Sequence, residues 1–159
     1  MGKNKKLQER YFALWMAMVR AKDAIHNVRE EELNEYHISP QQAGIMAYIM
    51  AMDNNATPAD ISRSSFRKAN TVTINLNRME KKGLIIKSRD SERKNVIRVS
   101  LTEKGRQIYL KTSSRKSIIE VFSNFTPGQC RQLEILLDML LNNAAKYLKM
   151  NEVQRPKLI

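Results

Sequence analysis

Apolar residues recur at helical spacing along most of this chain, and in one region the period changes from 3.6 to two. From Leu7 to about Leu33 the positions Tyr11, Phe12, Leu14, Trp15, Met18, Val19, Ile25 and Val28 keep helical spacing, interrupted by the Lys22 stem, and predict one long first helix. Ser39-Pro40-Gln41-Gln42 reads as a capping box that opens a helix carrying Ile45, Met46, Ile49 and Met50; Asp53-Asn54-Asn55 ends it. Thr57-Pro58-Ala59-Asp60 caps a third, with proline pre-set at the first helical position. A fourth follows almost at once, burying Val72, Leu76 and Met79 as one stripe and ending at Gly83, where a left-handed residue is wanted. The alternation of Ile97, Val99 and Leu101 with Val96, Arg98 and Ser100, after a short strand around Leu84 to Lys87, predicts a hairpin. Thr102 caps a fifth helix expected to run through Tyr109 to about Phe122, its first turn weakened by Gly105. Thr126-Pro127-Gly128-Gln129 caps the last, with Leu133, Leu136, Leu137, Leu140, Leu141, Ala144 and Leu148 on one stripe.

Helix, turn, helix and two-stranded hairpin is the order of a winged helix-turn-helix, whose second helix is the reading head for the major groove. The expected fold class is mainly α with a small two-stranded antiparallel wing. At 159 residues and 42% hydrophobic content the chain supports one core, and with 6% aromatics and nine Met it suits helix packing better than a β-sandwich. The first and last helices carry wider apolar stripes than a wing domain buries within itself, so a two-fold dimer that interleaves them is expected.

Charge sharpens the picture. Between Arg63 and Arg98 lie eleven basic residues against Glu80, Asp90 and Glu92, a local excess of +8 within a chain total of +12. A merely soluble face mixes signs; this clustering points to a polyanion.

The segments Asn77-Arg78-Met79-Glu80-Lys81-Lys82-Gly83-Leu84-Ile85 and Val99-Ser100-Leu101-Thr102-Glu103-Lys104-Gly105 resemble the MarR family of bacterial transcription regulators, in which a recognition helix ends in a similar pattern and the wing leads into Leu-Thr-Glu-Lys-Gly. The resemblance extends over almost the whole chain in element order. It implies a single MarR-like domain over 1–159, with a winged-helix DNA-binding unit at 39–102 and dimerisation helices at 7–35 and 103–150. It further implies a homodimer on a palindromic operator, usually as a repressor, often released by a small aromatic or other anionic effector. One departure is visible: Glu92-Arg93-Lys94 stands about two residues upstream of the family's usual wing-tip acid and arginine, and Asn95 takes an arginine position. An even insertion preserves strand alternation, which leaves Arg93 as the groove-reaching arginine of a longer hairpin.

On the fourth helix Asn70, Thr71, Thr73, Ile74, Asn77 and Arg78 fall off the buried stripe and are candidates for DNA contact, with Arg67 and Lys68 as basic flank. In the wing Lys87, Arg89, Arg93, Lys94 and Arg98 are candidates for phosphate or minor-groove contact, with Asp90 and Glu92 orienting a neighbouring arginine. Trp15, Met16, Met18, Met46, Tyr48 and Met50 come from helices that meet above the reading head in the family and are the candidate effector residues, although core packing is the simpler role for a methionine set.

Other chemistry finds little footing. His26 and His37 have no Cys or Asp cluster at ligand spacing, so no metal or other cofactor is expected, and no phosphate loop or nucleophile elbow suggests an enzyme. Cys130, the single cysteine, lies on an apolar stripe and reads as a buried structural thiol, whereas some relatives sense oxidants through a cysteine near the first helix, where this chain has none. One cysteine allows no internal disulfide, the N-terminus lacks a signal-peptide core and no apolar run reaches membrane length, so a cytoplasmic protein without membrane contact is expected. The alternative to a DNA-binding regulator is a winged-helix adaptor for protein or RNA, which should expose an apolar or aromatic patch on the reading helix.

Overall fold

The computed structural model describes residues 2–149. Its elements are α1 (Gly2–Leu33), a 3-10 turn (Asn34–Tyr36), α2 (Pro40–Ala51), α3 (Pro58–Ser65), α4 (Ala69–Lys81), strands β1 (Ile85–Arg89) and β2 (Ile97–Leu101), α5 (Glu103–Thr112), α6 (Lys116–Phe122) and α7 (Pro127–Tyr147). Contacts divide them into two compact units, one built from α1, the 3-10 turn and α6, the other from α2 to α5 with α7.

In the first unit α1 and α6 pack together through Glu32. Its carboxylate accepts from the amides of Lys116 at 3.0 Å and Ser117 at 3.1 Å, from the Ser117 hydroxyl, and from Arg29 at 2.5 Å. A side chain of α1 thereby caps the first turn of α6 across the chain. Burial opposes the charge, but these donors outweigh it and hold the Glu32 carboxyl down at about 2. Along α1, Leu7, Tyr11, Phe12, Leu14, Trp15, Met16 and Met18 are exposed.

The fifth helix is not one helix but two, a correction to the expected run from Thr102 to Phe122. The Thr112 hydroxyl donates to the Ile108 carbonyl at 2.9 Å and the Ser113 hydroxyl to Leu110 at 2.6 Å, side-chain bonds that compete with continued helix. Arg115 then turns left-handed at φ 48° before α6 begins.

The second unit buries Ile45, Met46, Ile49, Ile61, Val72, Leu76, Met79, Leu84, Ile85, Val99 and Leu101. Thr57 makes the capping box foreseen at α3, its hydroxyl accepting from the Asp60 amide at 3.1 Å while its own amide donates to Asp60 at 3.1 Å. Thr126 does the same with Gln129 at α7, and Thr102 caps α5 by accepting from the Gly105 amide. Gly83 closes α4 at φ 69°. The hairpin pairs Ile85 with Leu101 and Arg89 with Ile97, so β1 begins one residue later and ends two residues later than expected. A bridge between Ala56 and Val99, and the Leu101 amide on Asn54 Oδ1 at 2.7 Å, clasp the wing to the loop before α3.

Cys130 is exposed, contrary to the expected buried thiol. The stripe meant to cover it is uncovered in the single chain, with Leu136, Leu137, Leu140 and Leu141 all exposed along α7. Among the described residues no helix is long and apolar enough to cross a membrane.

Candidate nucleic-acid interface

The helix α4 sorts its residues as its periodicity dictates. Val72, Leu76 and Met79 are buried, while Asn70, Thr71, Thr73, Ile74, Asn77 and Arg78 are exposed on the other face. Its N-terminus is entered through a tight turn: Phe66 is left-handed, and the Ser62 hydroxyl donates to the Arg67 carbonyl at 2.6 Å, placing exposed Arg67 and Lys68 ahead of the first turn. The Thr73 hydroxyl donates back to the Ala69 carbonyl at 3.0 Å, which leaves its oxygen as an outward acceptor. Asn75, not singled out by sequence, donates to the Thr71 carbonyl at 2.9 Å.

Two braces fix the wing. Lys87 on β1 reaches α4 and donates to Asn77 Oδ1 at 2.6 Å and Glu80 Oε2 at 2.8 Å. Of the candidate DNA-contact residues, these two therefore hold each other. Glu80 is the group that sequence reasoning missed; its signal was a carboxylate one helical turn past Asn77 on a basic segment. On β2, Arg98 donates through Nε to Asp90 at 2.6 Å and through its guanidinium to the Asn55 carbonyl at 3.4 Å. Asp90 also accepts from the amides of Glu92 at 3.0 Å and Arg93 at 2.9 Å, closing the tip as an Asx turn. The Arg93 amide and the Arg98 side chain hold the Asp90 carboxyl down at about 2. Arg98 is half-buried and serves as a strut, whereas Arg78, Arg89, Arg93 and Lys94 are exposed and, among the described residues, make no side-chain hydrogen bond or ion pair.

The arrangement offers a polar helix face for base edges beside a rigid hairpin with uncompensated cations. Lys94 and Asn95 form the turn of the hairpin, with Arg93 just before it.

The remaining candidates fall as follows. Trp15, Met16 and Met18 are exposed on α1, Met46 is wholly buried in α2, and Tyr48 and Met50 are half-buried there. Burial pushes the Tyr48 hydroxyl up, opposed by the charge of Arg67. Among the described residues no group of three or more His, Cys, Asp or Glu side chains is placed to hold a metal.

Against known proteins, residues 37–94 match the model of the MarR family. A search of curated protein sequences finds no match. Among solved structures, the organohalide-sensing RdhR transcriptional regulator bound to 2,4-dichlorophenol superposes with a TM-score of 0.77 at 25% identity, covering 84% of this chain and 80% of that one. A mutant MarR from E. coli complexed with operator DNA gives a TM-score of 0.76 at 20% identity, covering 83% and 96%. The S. aureus MepR–DNA complex gives 0.71 at 19% identity, covering 84% and 96%. The winged-helix segment 37–94 of this chain is thus of the MarR family, and the fold around it is that of MarR-family transcription regulators.

Proposed function

We propose that this chain is a transcription regulator that binds duplex DNA as a homodimer, a binding protein and not an enzyme. The observation that carries the reading is the exposed polar face of α4 standing beside a doubly braced wing with unpaired Arg89, Arg93 and Lys94. Asn70, Thr71, Thr73 and Arg78 face base edges or phosphates, Arg67 and Lys68 hold the backbone at the helix start, and the wing cations take phosphates or the minor groove. The operator-bound MarR and DNA-bound MepR structures, which share this fold, support it. The exposed apolar faces of α1 and α7 support the dimer, since such stripes rarely stay uncovered in a monomer. A two-fold dimer carries two reading heads and so reads a palindromic site; repression, and release by a small effector, complete the reading by analogy with the family.

The test is binding of labelled duplex from the upstream region of its own coding sequence against random duplex, across a salt series. Cognate DNA should bind tighter, and the log–log slope of affinity on salt should approach −0.9 per neutralised phosphate. A slope near zero, or equal affinity for every duplex, would overturn the reading.

A further inference from the structure

Among the described residues, Ile74 is the one large apolar side chain on the exposed face of α4, opposite the buried stripe of Val72, Leu76 and Met79. It is 44% exposed. Its helical neighbours three and four residues away, Asn70, Thr71, Asn77 and Arg78, are all polar and exposed. A lone isoleucine ringed by polar groups is too small a patch to seat a protein partner, and it offers nothing to a phosphate. The hydrogen bonds of the same face separate its polar members. Asn77 is held by Lys87, its Oδ1 accepting at 2.6 Å, and Thr73 has given its proton to the Ala69 carbonyl at 3.0 Å. The Asn70 amide, among the described residues, has no hydrogen-bond partner, so it keeps both a donor and an acceptor for a ligand.

The major groove displays one apolar group that distinguishes a base, the 5-methyl of thymine, and the end of an aliphatic side chain is the chemistry that covers it. An amide with both ends free is the chemistry that pairs with N6 and N7 of adenine. We infer that Ile74 reads a thymine through its 5-methyl group, with Asn70 on an adenine one or two base pairs away. The spacing agrees with this. Four residues advance a helix by about 6 Å, close to two base-pair steps of about 3.4 Å. Discrimination has a repulsive side as well: a purine N7 or a cytosine amine in the place of that methyl would lose its water to an apolar side chain and gain no hydrogen bond in return. The inference rests on the DNA-binding reading of α4 and names the base group that one side chain of that face recognises.

The experiment uses the full chain and a duplex that it selects from a random pool, with an unselected duplex for comparison, both read by fluorescence anisotropy. Each thymine of the selected site is replaced in turn by deoxyuridine, which removes the methyl and keeps every hydrogen-bonding group. At one position the wild type should lose about fivefold in affinity, the worth of roughly one buried methyl. There Ile74→Ala should bind thymine and deoxyuridine alike, while its affinity for the unselected duplex stays that of the wild type. Ile86→Ala, which shortens an exposed isoleucine on β1, should keep the fivefold difference. Replacing an adenine one or two base pairs away, on either strand, by 7-deazaadenine, which lacks N7, should weaken the wild type and leave Asn70→Ala unaffected. A selectively bound duplex in which no thymine methyl matters overturns the assignment. So does a methyl effect that survives in Ile74→Ala, because the methyl then acts through another side chain or through the shape of the duplex. Equal losses by Ile74→Ala on selected and unselected duplex would mark the isoleucine as structural and overturn it too, and a 7-deazaadenine penalty kept by Asn70→Ala would detach Asn70 from the adenine. A wild type that selects no duplex from the pool overturns the regulator reading itself, a result distinct from all of these.

Discussion

Gly105 lies against the carbonyl of Leu84: a β-carbon built on Gly105 would stand 2.0 Å from that oxygen. The same carbonyl accepts the Thr102 amide at 3.1 Å, and the Thr102 hydroxyl donates to the Gly83 carbonyl at 2.7 Å. The start of α5 is thus seated on the backbone that leads into β1, at a distance only glycine allows. Helix propensity alone would have Gly105→Ala stabilise the chain by about 1 kcal/mol. The backbone collision reverses the sign, and a net loss of about 1–3 kcal/mol is expected by chemical denaturation. An unchanged or raised midpoint would show that α5 can lift off without cost.

That residue also marks the boundary of what the sequence made legible. Thr57, Thr102 and Thr126 cap where they should because a cap is decided within four residues. Val72, Leu76 and Met79 are buried because one helical period decides it. Gly105 read only as a weak helix former, since the atom that forbids a side chain there comes from Leu84. The break before α6 escaped for the same reason: its cap is Glu32, which lies far away in sequence. In the interface, exposure of the α4 face was legible, but not that Lys87, Asn77 and Glu80 tie helix to wing, because that register depends on where β1 starts.

Glu32 makes a pH prediction. Its carboxyl is lowered from 4.5 to about 2 in the folded chain. A lowered acid contributes stability that is complete above its unfolded value and is lost as pH falls through the folded one, so the loss should run from about pH 5 down to about pH 2. Glu32→Gln should cost on the order of 2–3 kcal/mol at neutral pH and flatten that acid limb. Urea unfolding at fixed protein concentration, at neutral and acid pH, checks both; a variant that keeps the wild-type acid slope would place the titrating group elsewhere.

Asp90 holds the wing tip closed and Arg98 in place, so Asp90→Ala should loosen residues 90–96 without unfolding the core. Amide hydrogen exchange reports this directly. The Arg93 amide should lose protection, while the amides of α4 keep theirs. Affinity for cognate and random duplex should fall together, because a disordered wing positions poorly but reads no bases. Loss confined to the cognate site would mean that the tip contributes to sequence reading.

The contrast between helix and wing can be drawn more finely through Glu80. As the carboxylate paired with Lys87, it neutralises one cation and orients Asn77 through their shared lysine. Asn70→Ala, which removes a polar group from the start of α4, should cost about 1–3 kcal/mol on the cognate duplex and relax preference at one or two positions. Glu80→Gln should do the opposite to the unspecific term. Lys87 becomes available to a phosphate, so random DNA should bind tighter and the salt slope should steepen by about 0.9, the increment for one added phosphate contact. Because Asn77 loses its fixed position at the same time, the ratio of cognate to random affinity should shrink. Fluorescence anisotropy on both duplexes across a salt series separates these effects. If Glu80→Gln leaves the slope unchanged, Lys87 does not reach the DNA even when freed, and the pair serves only to join the wing to α4.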